Sequence, residues 1–135
     1  MPQPPLPDEV VAFLDRPNHA VIATVRPDGH PVSVPTWYLY EDGRILVNMD
    51  QGRRRLDYLR QDPRVSLSVI DPVDWITHVS VQGRVTEMVD DPGLVDIDRL
   101  AQRYFGKPYP NRERGRVSAW VDIERWHGWG ALAQR

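Results

Sequence analysis

Short segments in which apolar and polar residues alternate recur along the chain. The clearest is residues 65–69, where valine and leucine alternate with Ser66 and Ser68. Because successive side chains of a strand point to opposite faces, this alternation predicts a strand with one buried face. Apolar or alternating runs predict further strands over residues 20–25, 32–40, 44–49, 77–88 and 117–123. The chain is therefore predicted to fold around an antiparallel sheet.

Turn and helix signals separate these strands. Pro and Gly residues predict tight turns at 26–29 and 41–43, which join the first three strands into a meander. Apolar residues at helical spacing predict three short helices, over residues 8–16, 56–61 and 91–106. This order predicts a mainly β (α+β) fold, an antiparallel barrel or sandwich of six or more strands with short helices at its edges. We expect one domain, residues 1–135, with a flexible tail at residues 1–6.

The composition argues against several classes of function. The 17 Lys and Arg residues against 19 Asp and Glu give a net charge of -2, which argues against binding of nucleic acid. The chain has no cysteine and its four histidines have no metal-ligand spacing, so we expect no disulfide and no metal site. Redox chemistry would therefore need a bound cofactor. Neither a signal peptide nor a run of about 18 apolar residues is present, which predicts a cytoplasmic protein without a membrane span.

Three consecutive arginines, Arg53, Arg54 and Arg55, lie where a predicted strand gives way to a helix. The first N–H groups of a helix have no partner within it, and arginine presents a planar fork to phosphate or carboxylate oxygens. The segment is therefore a candidate anion-binding site. The alternative is a solvated basic helix face, because runs of charge usually lie at the surface.

Several segments, taken in order, resemble a known superfamily. They are Ser33-Val34-Pro35-Thr36-Trp37-Tyr38, Gly43-Arg44-Ile45-Leu46-Val47, Gly52-Arg53-Arg54-Arg55 and Asp62-Pro63-Arg64-Val65-Ser66-Leu67. Their order and spacing resemble the pyridoxamine 5′-phosphate oxidase-like proteins, which have an FMN-binding split β-barrel. The start Ala23-Thr24-Val25-Arg26-Pro27-Asp28-Gly29 is similar to the actinobacterial flavin/deazaflavin oxidoreductases that use coenzyme F420. The resemblance covers roughly residues 6 to 130.

The resemblance implies a homodimer in which each cofactor lies in a groove between two barrels. It also implies that one strand runs beside a tricyclic ring and that two basic residues hold a phosphate. The residues in this strand are Ser33, Val34, Pro35, Thr36 and Trp37, and the phosphate contacts are Arg53 and Arg55. No catalytic side chain is predicted, because the cofactor carries the chemistry.

Further residues are assigned to the same site. Asn48 and Met49 are predicted to line the groove, and Arg54 to meet the glutamate tail of F420 or solvent. Possible pocket walls are Tyr38, Trp75 and His78, the last two by approach to the partner's cofactor. For Trp37 and Tyr38 the alternative is ordinary packing in the sheet.

The resemblance implies an F420-dependent reductase, which transfers a hydride between the deazaflavin and an unsaturated or conjugated small molecule. An FMN-binding oxidase or reductase of the same fold and a non-catalytic F420 carrier stay open as alternatives. The sequence departs from relatives at Arg55, where lysine is common, and at Asn48-Met49-Asp50, where a small hydroxyl residue is common. Asp50 is expected to face away from a phosphate or to orient an arginine.

Two segments near the C-terminus have two interpretations each. Residues 105–112 are basic, aromatic and broken by proline, and form either a lid over the pocket or a surface loop. Residues 125–130 carry Trp126 and Trp129 and are expected to be flexible at their glycines, with the tryptophans packed across the dimer or against the barrel rim. The chain does not match the extended basic C-terminus of the larger oxidases, so pyridoxamine phosphate is not expected as a substrate.

Overall fold

The computed structural model describes residues 1–133. Within this range the chain forms three α-helices and seven strands. The helices are α1 (Asp8–Leu14), α2 (Arg54–Gln61) and α3 (Val95–Phe105), and single turns of 3₁₀ helix lie at Pro92–Leu94 and Gly130–Leu132. The strands are β1 (His19–Val25), β2 (Pro31–Thr36), β3 (Leu39–Glu41), β4 (Arg44–Asp50), β5 (Arg64–Ile70), β6 (His78–Asp90) and β7 (Arg116–Trp129).

The strands form one antiparallel sheet in the order β2-β1-β5-β6-β7-β4-β3. β2 and β3 lie at opposite edges of this sheet, although only Trp37 and Tyr38 separate them in the chain. A link this short spans at most about 11 Å. The sheet is therefore curled until its two edges approach each other, and the prediction of a mainly β split barrel with short helices at its edges is confirmed.

The prediction of one strand over residues 32–40 is wrong. β2 pairs with β1, whereas β3 pairs with β4 at the other edge. Between them the side chain of Tyr38 is fully buried, with its hydroxyl oxygen 2.9 Å from the carbonyl oxygens of Leu14 and Arg16. The chain passes from one edge of the sheet to the other at Tyr38, whose ring is buried at the seam where the two edges approach each other. The first three strands are therefore not a simple meander.

α3 packs on the outer side of the barrel, over β4 and β7. Ile45, Val47 and Met49 of β4 belong to the barrel core, so the alternation of the strand turns Leu46 and Asn48 toward α3. Both faces of β4 are buried as a result. A cavity opens on the outer side of the barrel near Asn48.

The segment 125–130, expected to be flexible at its glycines, continues β7 as far as Trp129. Trp126 is buried, and its backbone N–H donates to the carbonyl oxygen of Pro2 at 3.1 Å. A Cβ atom at Gly128 would lie 2.3 Å from the carbonyl oxygen of Leu132, so glycine allows a close approach here. Residues 1–6, predicted as a flexible tail, thus contact the sheet.

No helix within residues 1–133 is long and apolar enough to cross a membrane.

Candidate functional site

A cavity of about 700 Å³ lies between the end of β2, the outer face of β4 and the C-terminal half of α3. β1, β5 and the start of α2 complete its walls. The structure brings five of the predicted site residues together in this cavity. They are Pro35, Thr36, Trp37, Asn48 and Arg55.

One wall of the cavity is aromatic. The indole of Trp37 is stacked on the ring of Tyr104, with 5.5 Å between centroids, and meets Phe105 and Tyr109 edge-on at 4.9 and 6.1 Å. We call these four residues the aromatic wall. Burial raises the pKa of the Tyr104 hydroxyl to about 12, so it stays protonated and donates to the carbonyl oxygen of Asn18 at 2.7 Å. The wall presents flat apolar surface of the kind that stacks on a conjugated ring.

Residues 105–112, left open as a lid or a surface loop, carry two members of this wall. The loop is fastened to α3 through Asp98, whose carboxylate accepts from the backbone N–H of Tyr109 at 3.0 Å and from Arg112 at 2.6 Å. The hydrogen bond from Arg112 lowers the pKa of the Asp98 carboxyl below its usual value. These two contacts to Asp98 hold the loop against the cavity.

Arg55 brings positive charge to the cavity. Burial lowers the pKa of its guanidinium, and repulsion from the charge of Arg53 lowers this pKa further by a smaller amount. No carboxylate among residues 1–133 lies within ion-pair distance of Arg53, Arg54 or Arg55. Nearby Asp50 is instead paired with Arg114 at 3.0 Å and accepts from the N–H of Gly52 at 2.9 Å. An anion bound beside Arg55 would relieve this repulsion.

The start of α2 adds backbone donors to this charge. Arg53 is the N-cap residue and makes no side-chain cap hydrogen bond. The N–H groups of Arg54 and Arg55 have no acceptor within the part of the chain that the structure describes. Unpaired N–H groups and the helix dipole favour an oxyanion at such a terminus.

A buried polar network that the sequence analysis did not find supports the cavity floor. The Asn48 amide nitrogen donates to Asp91 and to Ser118, both at 3.1 Å, and its oxygen accepts from Nε of Arg116 at 2.7 Å. Asp91 in turn accepts from the backbone N–H groups of Asp96 and Ile97 at the start of α3. The Asp91-Pro92 signal predicted a helix start, but nothing in the sequence linked it to Asn48.

Three predicted site residues turn their side chains away from the cavity. Met49 and Tyr38 are buried in the barrel core, and Val34 packs against it. The reason is strand alternation, because neighbours such as Asn48 and Met49 face opposite sides of β4. The side chains of Tyr38 and Met49 therefore do not line this cavity, and their assignment to the cofactor groove stays a prediction.

The remaining predicted residues lie at the surface outside the cavity. Ser33 is exposed beside Ala23 on the outer face of the sheet, and Arg53 is exposed at the start of α2. Arg54 lines a separate depression with Arg26, Asp28 and Tyr58. Trp75 is 75% exposed in the turn after β5, and the ring of His78 is stacked near Trp129, 6.2 Å between centroids.

The cavity has the chemistry of a site for a flat conjugated ring that carries an oxyanion. The aromatic wall suits the ring, while Arg55 and the free N–H groups of α2 suit the charge. Within residues 1–133 no cluster of His, Cys, Asp and Glu side chains could hold a metal ion. Fold and site together define a split-barrel protein with a cavity suited to a planar, anionic ligand.

The chain belongs to the pyridoxamine 5′-phosphate oxidase family, because the sequence model of that family matches residues 6–130. It is 30% identical over 131 residues to an F420H(2)-dependent biliverdin reductase of Mycobacterium tuberculosis, covering 96% of this chain and 93% of that protein. It is also similar to the solved structure of an F420 reductase, with 28% identity, a TM-score of 0.81, and coverage of 90% of this chain and 98% of that one.

A conserved hypothetical protein of Mycobacterium tuberculosis has the same fold, with 25% identity and a TM-score of 0.73 over 98% of this chain and 92% of that one. The resemblance inferred from the sequence is thus confirmed at the level of the family and of its F420-related branch.

Proposed function

We propose that this protein is an F420-dependent reductase that transfers a hydride to an unsaturated or conjugated small molecule. The observation that carries the proposal is the cavity, in which an aromatic wall and an unpaired Arg55 share one space. The reductases of the same family noted above support F420 rather than FMN as the cofactor.

In this proposal the chain holds the cofactor at two places. Trp37, with Pro35 and Thr36 beside it, faces the conjugated ring. Arg53, Arg55 and the first N–H groups of α2 hold the phosphate, because charge-assisted hydrogen bonds from a planar fork suit its oxygens. Arg54 is exposed and unpaired, and meets the acidic tail.

The chain's own part in the reaction is to bind, orient and exclude water. Reduced F420, when bound, supplies a hydride from its central ring. The titratable residues among those that line the cavity are His19, Arg55, Tyr104, Tyr109 and Arg116, and Tyr104 stays protonated because its pKa is about 12. Because reduced F420 would itself supply the hydride, we assign no acid or base to the protein.

We further propose that the protein is a homodimer with the cofactor at the subunit interface. The outer face of β1, β5 and β6 is covered by small side chains in register, since Val21 pairs with Ser68 and Ser68 with Ser80. Val21 also lines the cavity, so a second copy on this face would close it. The exposed Trp75 and the half-buried His78 lie at one end of the same region and would approach the partner's cavity.

The test is to titrate the purified protein with F420 and with FMN while following fluorescence quenching. We expect tighter binding of F420. Tighter binding of FMN, or of neither, would contradict the proposal. A cytoplasmic location and the absence of nucleic acid as a partner stay predictions.

Turnover separates a reductase from a carrier. Pre-reduced F420 is mixed with protein and a panel of quinones, enones and tetrapyrroles, including biliverdin, which the Mycobacterium tuberculosis relative reduces according to its name. We expect oxidation of the cofactor by at least one compound of the panel. Oxidation by none of them, with F420 still bound, would favour the carrier.

A further inference from the structure

The cavity contains a second arginine that the sequence analysis did not single out. Arg116 is the first residue of β7 and lines the cavity together with Arg55, although the two belong to distant parts of the chain. Its guanidinium lies over the ring of Tyr109, 4.7 Å from the centroid, so it borders the aromatic wall. The cavity therefore carries positive charge from two separate elements.

Arg116 is held in one orientation by a buried network. Its Nε donates to the amide oxygen of Asn48 at 2.7 Å. The amide cannot turn over, because its nitrogen already donates to the carboxylate of Asp91 and to Ser118. Asn48, Asp91 and Ser118 are each at most 9% exposed. Rotating the amide would leave buried donors and acceptors unpaired, which costs more than the bonds contribute.

Asn48 uses only one of the five N–H donors of Arg116. Within residues 1–133 its two terminal nitrogens have no hydrogen-bond acceptor, and no carboxylate lies within ion-pair distance of it. The nearest acidic neighbour in the sheet register, Asp50, is paired with Arg114 instead. The terminal nitrogens of the guanidinium are therefore available to a group that is not part of the described chain.

We propose that Arg116 binds a carboxylate or phosphate oxygen of the ligand that lies against the aromatic wall, as an anion contact additional to Arg55. Asn48 is the positioning residue, because its amide oxygen fixes the orientation of the Arg116 guanidinium. The oxyanion comes either from the cofactor or from the substrate, and only the choice between these sources rests on the proposed function.

The test compares Arg116→Gln with Arg60→Gln, which removes the same charge at an exposed position that does not line the cavity. The first arm measures the affinity for F420 and for a deazaflavin that lacks the phosphate and carboxylates. The second arm measures, by saturation-transfer NMR, the affinity of the cofactor-free protein for 2-naphthoate and for the neutral 2-naphthamide. Arg116→Lys, which keeps the charge but not the fork, shows whether geometry matters, and circular dichroism checks that each variant is folded.

We expect Arg116→Gln to lower the affinity for one of the anionic ligands by about tenfold or more, without a matching loss of affinity for its neutral counterpart. A loss of affinity for F420 alone assigns the oxyanion to the cofactor, and a loss of affinity for 2-naphthoate alone assigns it to the substrate. Arg60→Gln should change neither affinity, and Arg116→Lys should keep only part of the wild-type affinity.

Equal effects of Arg116→Gln and Arg60→Gln, or an equal loss of affinity for anionic and neutral ligands, would overturn the proposal. If wild-type protein fails to bind F420, the proposed function fails, while the naphthoate arm still tests Arg116. To test the positioning role, Asn48→Leu should abolish the preference for naphthoate over naphthamide. A folded Asn48→Leu variant that keeps this preference would contradict that role.

Discussion

The indole of Trp37 lies on the ring of Tyr104, with the ring planes inclined by 9°. This stack joins the two-residue link between β2 and β3 to the last turn of α3. It therefore connects the seam of the barrel with the helix that covers its outer side. The same stack forms the centre of the aromatic wall, so the shape of the cavity depends on this pair of side chains.

Replacing Trp37 should weaken ligand binding. Trp37→Leu removes the indole that we propose faces the ring of F420, and because a stacked ring pair is worth about 0.5–1.5 kcal/mol, we expect the affinity for F420 to fall by up to about tenfold. The matched control is Trp120→Leu, because Trp120 lies under the guanidinium of Arg44, 4.6 Å away, and does not line the cavity. Equal effects of the two substitutions on F420 binding would contradict the aromatic wall as a ring site.

The phenol of Tyr104 should make the protein sensitive to alkaline pH. Its pKa is raised from 10.0 to about 12 by burial, so between these values the unfolded chain loses a proton that the folded chain keeps. The resulting contribution of Tyr104 to the free energy of unfolding is complete below pH 10. It is lost as the pH rises toward 12, a fall of about 2–3 kcal/mol.

Tyr104→Phe should reduce this fall, and at neutral pH it should lose about 1 kcal/mol with the hydrogen bond to Asn18. Urea unfolding of both proteins at several pH values measures the difference. Wild-type and variant stability curves that run parallel above pH 10 would show that Tyr104 is not the group responsible.

The loop over the cavity should depend on Asp98. Asp98→Asn weakens the bonds to Tyr109 and Arg112, and we expect hydrogen exchange at the Tyr109 amide to speed up by about tenfold. Because the pKa of Asp98 lies below 3.8, this support is complete above about pH 4 and disappears as the pH falls further. Asp57→Asn, which removes an exposed pair with Arg60, is the control. Unchanged exchange in Asp98→Asn would show that the loop is held by other contacts.

Much of the fold could be predicted because strand alternation and turn residues are local signals. The strands β1, β4 and β5 and the helix α1 lie within a few residues of their predicted positions. Pairing could not be predicted in the same way. Nothing near Tyr38 shows that its ring is buried at a seam, and β7 could be extended to Trp129 only by knowing that β6 lies beside it.

The site was predictable to a similar extent. Arg55 could be found because a run of arginines before a helix is a local pattern, and Trp37 because the family resemblance covers its strand. The side chain of Met49 lies in the barrel core rather than in the cavity. Because both faces of β4 are buried, the sequence alone does not tell which face meets the cavity. Arg116 follows a loop and carries no motif, and only its pairing with β4 brings it to Asn48.

The outer face of the sheet should be the dimer interface. Ser68→Arg places a long charged side chain at its centre, and we expect sedimentation to shift from dimer to monomer. F420 affinity should fall in the same variant if the cofactor lies between subunits. Gln102→Arg adds the same charge on an exposed position of α3 and should change neither property. A dimeric Ser68→Arg, or a wild-type monomer, would contradict the proposed interface.

The most direct test of the cofactor site is an F420 titration of Arg53→Ala/Arg55→Ala at increasing salt, beside Arg60→Ala at the other end of α2. Charge-assisted hydrogen bonds are worth about 1.5–3 kcal/mol each. We therefore predict that the double variant loses at least about tenfold in affinity at low salt, and that its affinity changes less with salt than the wild type's does. Arg60→Ala should bind as the wild type does. A double variant with the affinity and salt dependence of the wild type would contradict the placement of the phosphate at the start of α2.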